Sequence, residues 1–172
     1  MKRLWVALVL AALMQVGLAP RSEAQTARII AHVAEYARFS RLYWAVNPYE
    51  WELVRRGTIA SVGERFVVQR DELIDPLLLD GVGRTNLERM LSGLPPVDRD
   101  RLASLELHHL GQQSDGYLLE ITRQEHRTDG NYCLAHPGEC GAAAVESLVD
   151  HGVTWNKWRA DYWRRRAADF DE

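Results

Sequence analysis

The sequence has only two cysteines among its 172 residues, which excludes a cysteine-rich zinc array and a miniprotein built on a disulfide framework. It also lacks an excess of positive charge, because its formal net charge is −3. That charge argues against a polybasic surface that binds nucleic acid indiscriminately, but it does not exclude local basic patches. With 47% apolar and 26% charged residues, the chain is neither collagen-like nor wholly disordered and has room for one compact domain.

Long apolar runs are also scarce, and the one that exists is at the amino terminus. Residues 1–3 carry two positive charges, residues 4–19 are apolar apart from one glutamine, and Ser22-Glu23-Ala24 has the small-x-small pattern of a cleavage site. A run of about 16 residues is shorter than the ~20 needed to cross a bilayer. We therefore interpret residues 1–24 as a cleavable signal peptide rather than a membrane anchor. Cleavage would leave a secreted or periplasmic protein without a membrane span.

Local patterns predict a mixture of helices and short strands in the remaining chain. Thr85 with Glu88, and Thr122 with Glu125, have the spacing of a capping box, so each pair predicts the start of a helix. Alternating apolar residues and a turn signal at Ser114 predict two strands just before the second of these helices. The predicted helices cover residues 26–46, 86–92, 123–127, 142–149 and 154–170, and the predicted strands cover 65–69, 105–108 and 117–121.

Four of the six histidines lie between His108 and His136, a concentration that needs an explanation. Imidazoles on a hairpin and on the following helix can converge on a divalent metal, and His108, His126 and His136 are the candidate ligands. His109 is the candidate general base, since histidine titrates near neutral pH. Neighbours on a strand point to opposite faces, so His108 and His109 can share a site only if the pleat breaks. Otherwise the pair is one exposed and one half-buried histidine.

The two cysteines have three interpretations. Cys133 and Cys140 can form a disulfide in an oxidising compartment, or they can remain free thiols. A third reading combines both thiolates with His136 in a structural zinc site, although no fourth ligand has an obvious spacing.

The last predicted helix is basic in an otherwise acidic protein. Between residues 155 and 166 it has five lysines and arginines against one aspartate, which makes it a candidate phosphate-binding surface. We predict that its aromatic residues form a buried face rather than a base-stacking surface. The candidate nucleic-acid contacts are Arg84, Arg159, Arg164 and Arg165.

Several motifs in this order resemble the LHH group of the HNH/endonuclease VII nucleases, which are common toxin domains in bacteria. The resemblance covers roughly residues 75–168, and residues 25–74 lie outside it as a helical region of unknown role. We therefore divide the mature chain into residues 25–74 and a nuclease domain at residues 75–172. The motifs are Gly83–Met90, Gly93-Leu94, Leu107–Gln112, Arg123–Arg127, Gly130-Asn131, Leu134–Pro137, Trp158-Arg159 and Tyr162-Trp163.

The resemblance implies an α+β, mainly helical fold with a ββα-metal core, and a nuclease that uses one divalent ion (Mg, Mn, Ni or Zn). It implies that His108 and His126 bind the metal and that His109 is the general base. His136 or Asn131 would complete or orient the site. The expected substrate is DNA rather than RNA, and the expected partner is an immunity protein. The alternative is a non-catalytic exported binding module on the same scaffold.

Overall fold

The computed structural model describes residues 46–171 apart from residues 101, 115, 129, 141–148, 150 and 151. They belong to a unit that spans Leu42–Glu172. The predicted signal peptide lies outside the described residues. The predicted helices at 26–46 and 142–149 also lie outside them, apart from residues 46 and 149.

A four-stranded sheet has the strand order β1-β2-β4-β3. The β1–β2 and β3–β4 pairs are antiparallel, whereas β2 and β4 are parallel. The direct pairing of β2 with β4 joins residues 58–69 to the hairpin that carries the paired histidines. The strands are β1 (Thr58–Val62), β2 (Arg65–Gln69), β3 (Glu106–His109) and β4 (Leu118–Ile121).

The described residues contain five α-helices. Both predicted capping boxes are present, because Thr85 and Glu88 begin the second helix and Thr122 and Glu125 begin the third. The helices are α1 (Pro48–Val54), α2 (Asn86–Leu91), α3 (Arg123–Arg127), α4 (Asn131–Ala135) and α5 (Val153–Arg166), and a 3-10 turn at Ala167–Phe170 extends α5.

Helix α1 and the β1–β2 hairpin occupy the described part of the region predicted to be helical. The strand predicted at residues 65–69 is confirmed as β2. Asn47 and Pro48 start a helix here, because the Asn47 side chain accepts the backbone N–H of Glu50 and the Glu50 carboxylate accepts that of Asn47. Proline suits the first turn of a helix, where its missing N–H costs no hydrogen bond.

Alternation along the strands creates two apolar layers, one on each face of the sheet. Val67 and Leu118 pack in the layer that contains Trp163 of α5, whereas Val68 and Leu119 pack in the layer that contains Leu53 of α1. The two faces are therefore covered by different helices.

Helix α5 is also fixed to the sheet by a buried polar cluster. The Glu120 carboxylate accepts hydrogen bonds from Tyr162 Oη at 2.5 Å and from Arg166 Nε at 2.9 Å. Because both donors satisfy the same carboxylate, its desolvation is compensated. The cluster holds α5 against β4.

The architecture is α+β, and β3, β4 and α3 follow one another as a ββα unit, as predicted. The hairpin presents His108 and His109, and α3 places His126 one turn after its amino-terminal cap. In the described part of the chain, each helix is too short or too polar to cross a membrane.

Candidate metal centre and active site

The three candidate ligands meet on the sheet face that α1 covers. His108 comes from β3, His126 from α3, and His136 from the residue that ends α4. One ring nitrogen of each lies within 4.8 Å of the corresponding nitrogen of the other two. His108 Nδ1 is 3.1 Å from His126 Nε2, and the latter is 3.1 Å from His136 Nε2. The fold brings together residues that are distant in sequence.

The other nitrogen of each ring faces an oxygen outside the cluster. His108 Nε2 is 2.7 Å from the Glu50 carboxylate, and His126 Nδ1 contacts the Glu106 carboxylate. His136 Nδ1 is 3.1 Å from the backbone oxygen of Tyr132. A carbonyl or an ionised carboxylate can only accept a hydrogen bond, so each outer nitrogen must donate one.

These outer hydrogen bonds determine what the inner nitrogens can do. A neutral imidazole whose outer nitrogen carries the hydrogen has a lone pair on its inner nitrogen. Three lone pairs then converge on one point, where they repel one another unless a cation lies between them. Metal–nitrogen bonds of about 2.0–2.1 Å separate neighbouring ligand nitrogens by roughly 3 Å, which matches two of the observed separations. The three histidines therefore fit a divalent ion.

Burial keeps the imidazoles of His126 and His136 in the neutral form that binds metal. It lowers the pKa of both His126 and His136, so neutral rings are favoured near pH 7. Burial alone would raise the pKa of Glu106, but hydrogen bonds from His126 and Arg127 outweigh it and lower that pKa to about 2. An ionised Glu106 therefore faces His126 throughout the physiological range.

His109 points to the opposite face of the sheet from His108. Its ring lies 4.5 Å from the ring of Trp155, centroid to centroid, on the side covered by α5. The pleat does not break, because His109 still pairs with Leu118 in the β3–β4 ladder. However, β3 is an edge strand, and a cavity of about 120 Å³ at this edge is lined by His109 and the three clustered histidines. Residues from both faces of the sheet therefore line the same cavity.

Asn131 and Arg84 form their hydrogen bonds with residues outside the histidine cluster. The Asn131 amide donates to the Gln124 backbone oxygen at 3.2 Å, which ties the start of α4 to α3. Arg84 forms an ion pair with Asp80 at 2.9 Å. In the described part of the chain, neither side chain hydrogen-bonds to one of the three histidines. The carboxylates of Glu50 and Glu106 and a backbone carbonyl orient the rings instead.

Glu50 and Glu106 did not emerge from the sequence as site residues. Glu106 is two residues before His108 on the same strand face, so alternation could have identified it. For Glu50 the only signal is its capping-box spacing after Asn47, which predicts a helix start but not the long-range contact with His108.

A disulfide closes the segment that carries His136. Cys133 and Cys140 are joined, with their Cα atoms 5.6 Å apart. The bond leaves no thiolate for a metal, so the structural zinc site with both cysteines is not supported. It restricts the backbone on both sides of His136 and thereby limits the positions that this ligand can adopt.

The remaining candidate arginines lie on α5, and all three are exposed. Arg164 pairs with Asp161 at 2.8 Å, and Arg159 donates to Asn156 at 3.2 Å. Within the described residues, no carboxylate forms an ion pair with Arg165. The aromatic face of this helix is buried at Trp155, Tyr162 and Trp163, as predicted, but Trp158 is only half-buried.

A known protein family matches the part of the chain that contains the three clustered histidines and His109. Residues 85–169 match LHH, described as a nuclease of the HNH/ENDO VII superfamily with conserved LHH, and Leu107-His108-His109 supplies that tripeptide. Comparisons with curated proteins and with solved structures gave no match. Glu50, α1 and the β1–β2 hairpin precede the matched residues. Residues 85–169 of this chain therefore belong to the LHH family of the HNH/endonuclease VII nuclease superfamily.

Proposed function

We propose that this protein is a metal-dependent endonuclease that hydrolyses phosphodiester bonds in nucleic acid, and that its substrate is DNA rather than RNA. The observation that carries the proposal is the convergence of three imidazole lone pairs from His108, His126 and His136. Imidazole ligands suit zinc or nickel better than magnesium, which prefers oxygen. We expect one ion, bound by these three histidines.

The metal ligands, His109 and the two glutamates have different roles in the proposed reaction. A bound divalent ion would polarise the scissile phosphate and stabilise the leaving oxygen. His109 lines the same cavity outside the ligand cluster, and we assign to it the role of taking a proton from the attacking water. Glu50 and Glu106 hold the ring orientations of His108 and His126.

Cations beyond the cavity would hold the substrate. Arg159, Arg164 and Arg165 are exposed on α5, and Arg84 is exposed just before α2. Phosphate contacts of this kind supply affinity that falls with salt concentration, without reading sequence. We therefore expect binding with little sequence preference.

The direct test is cleavage of plasmid DNA by the purified protein with magnesium, manganese, nickel or zinc. We expect cleavage with at least one of these ions and complete loss of cleavage when EDTA removes the metal. RNA of similar length, assayed in parallel, tests the substrate preference. If the protein binds DNA but leaves it uncut with all four ions, the non-catalytic binding module replaces this proposal.

We also propose that the protein is exported, that it acts as a toxin against other bacteria, and that an immunity protein restrains it in the producing cell. The signal-like residues 1–24 and the Cys133–Cys140 disulfide support export, because disulfides persist in oxidising compartments. Mass spectrometry of the exported protein should find Gln25 as the first residue and no thiol that iodoacetamide can alkylate. An uncleaved chain with two free thiols would contradict the export proposal.

A further inference from the structure

A groove lies between helix α5 and the turn that joins β1 to β2. It has a volume of about 430 Å³, and its lining includes Arg65, Trp158 and Arg165. A second cavity of about 220 Å³ is also lined by Arg165 and by residues of the β1–β2 turn, so it lies next to the groove. The turn at residues 62–65 precedes the family-matched residues and is a feature of this chain's own amino-terminal segment.

The groove starts beside the proposed general base. Trp155 lines the groove, and its ring also lies 4.5 Å from the ring of His109, centroid to centroid. From Trp155 to Arg165 the helix advances ten residues, or about 15 Å. A strand whose phosphate reaches the cavity could therefore continue into the groove.

The groove contains an aromatic surface. The half-buried Trp158 ring lies nearly parallel to the rings of Trp155 and Tyr162, with an interplanar angle of 11° in each case. The Arg65 guanidinium is 5.4 Å from the centre of the Trp158 ring. Aromatic rings beside arginine are the elements with which proteins hold unpaired bases, because every base has a π-face.

The charge along the groove suits a phosphate backbone. Asp161 is the only acidic residue on α5, and Lys157 and Arg164 neutralise it at 2.7 and 2.8 Å. Arg165 is exposed at the groove, and within the described residues no carboxylate pairs with it. The carboxylate of Glu64 in the turn is the remaining negative group of the lining. An acidic acceptor can bind the exocyclic amino group of a base.

We propose that this groove binds an unpaired stretch of the substrate strand next to the scissile phosphate. A base packs against the half-buried Trp158 ring beside Arg65, and Arg165 contacts a phosphate. A volume of 430 Å³ suits one or two nucleotide units of a single strand. The inference rests on the proposed nuclease function and specifies its substrate as single-stranded or locally melted nucleic acid.

Fluorescence anisotropy with a labelled 12-nucleotide single strand and the matching duplex, in EDTA to prevent cleavage, tests the proposal. We expect tighter binding of the single strand. Trp158→Ala should weaken it about tenfold, whereas Trp158→Phe should retain most of the affinity because a ring remains. Arg165→Ala should weaken binding and make it less dependent on salt. Arg99→Ala is the control for the loss of one positive charge, since Arg99 is exposed and lies outside the groove lining.

The outcomes separate this inference from the proposed function. If Trp158→Ala, Arg165→Ala and wild type bind the single strand with equal affinity, the proposal that the groove binds it is wrong, even if metal-dependent cleavage is intact. A protein that neither cuts nor binds nucleic acid would overturn the nuclease proposal itself. If thermal melting shows that Trp158→Ala is unfolded, the exposed Arg165→Ala variant decides the question alone.

Discussion

The variant His109→Ala is expected to cut DNA about a hundredfold to ten-thousandfold more slowly than wild type while it still binds metal. A positioned general base contributes a rate factor of this order. His109 lines the cavity but points to the opposite sheet face from the ligand cluster, so its removal leaves all three proposed ligands in place. Plasmid cleavage under single-turnover conditions measures the first effect, and calorimetric titration with zinc or nickel measures the second.

The control for this variant must separate chemistry from packing. His109 is 4% exposed and contacts Trp155, so alanine also leaves a space next to that ring. His109→Gln fills more of the space but cannot act as a base, and it should be as slow as His109→Ala. Both variants should also be harmless when expressed in bacteria without the proposed immunity protein. Wild-type cleavage rates in either variant would contradict the assignment of the base.

The second large effect is expected for Glu50→Gln, which should weaken metal binding about tenfold to a hundredfold. This is the usual consequence of removing a group that orients a ligand histidine. The carboxylate of Glu50 accepts from His108 Nε2 at 2.7 Å, from Gly111 N at 2.9 Å and from Asn47 N at 2.8 Å. A glutamine amide has only one oxygen, so at least one of these donors loses its acceptor. Calorimetric titration measures the change in metal affinity.

Glu52→Gln is the matched control, because Glu52 is two residues further along α1 and exposed to solvent. It should bind metal like wild type. Long-range ¹H–¹⁵N spectra of the metal-free protein should show that His108 carries its hydrogen on Nε2 in wild type and in Glu52→Gln. A merely structural role for Glu50 would leave this tautomer unchanged in Glu50→Gln. Unaltered metal affinity together with an unaltered tautomer would refute the positioning role.

The parts of the fold that sequence patterns predicted depend on short-range contacts. The capping boxes that begin α2 and α3 join residues three apart, so the same local chemistry that marks them in the sequence forms them in the protein. Strand β2 was found from five consecutive residues and is correct at both ends. The periodicity of α5 likewise predicted a buried face of Trp155, Trp158, Tyr162 and Trp163, and all of these except the half-buried Trp158 are buried.

The partners of the site residues could not be predicted in this way, because they depend on contacts between segments that are distant in the sequence. Glu50 and His108 are 58 residues apart, and nothing near either residue indicates that α1 packs over β3. The opposite orientation of His108 and His109 was expected from strand geometry. Both residues still line one cavity because β3 lies at the edge of the sheet, and this position depends on the order of the strands.

The scarcity of cysteine, of positive charge and of apolar runs excluded whole classes of protein, and the concentration of histidines between residues 108 and 136 indicated the candidate ligands. Residue types and short spacings suffice for such conclusions, because they reflect interactions within a few residues of the chain. The tertiary structure alone decided which nitrogen of each histidine faces its neighbours. A tautomer is set by the acceptor that the fold brings to the opposite side of the ring, and for His108 that acceptor, Glu50, comes from outside the family-matched residues.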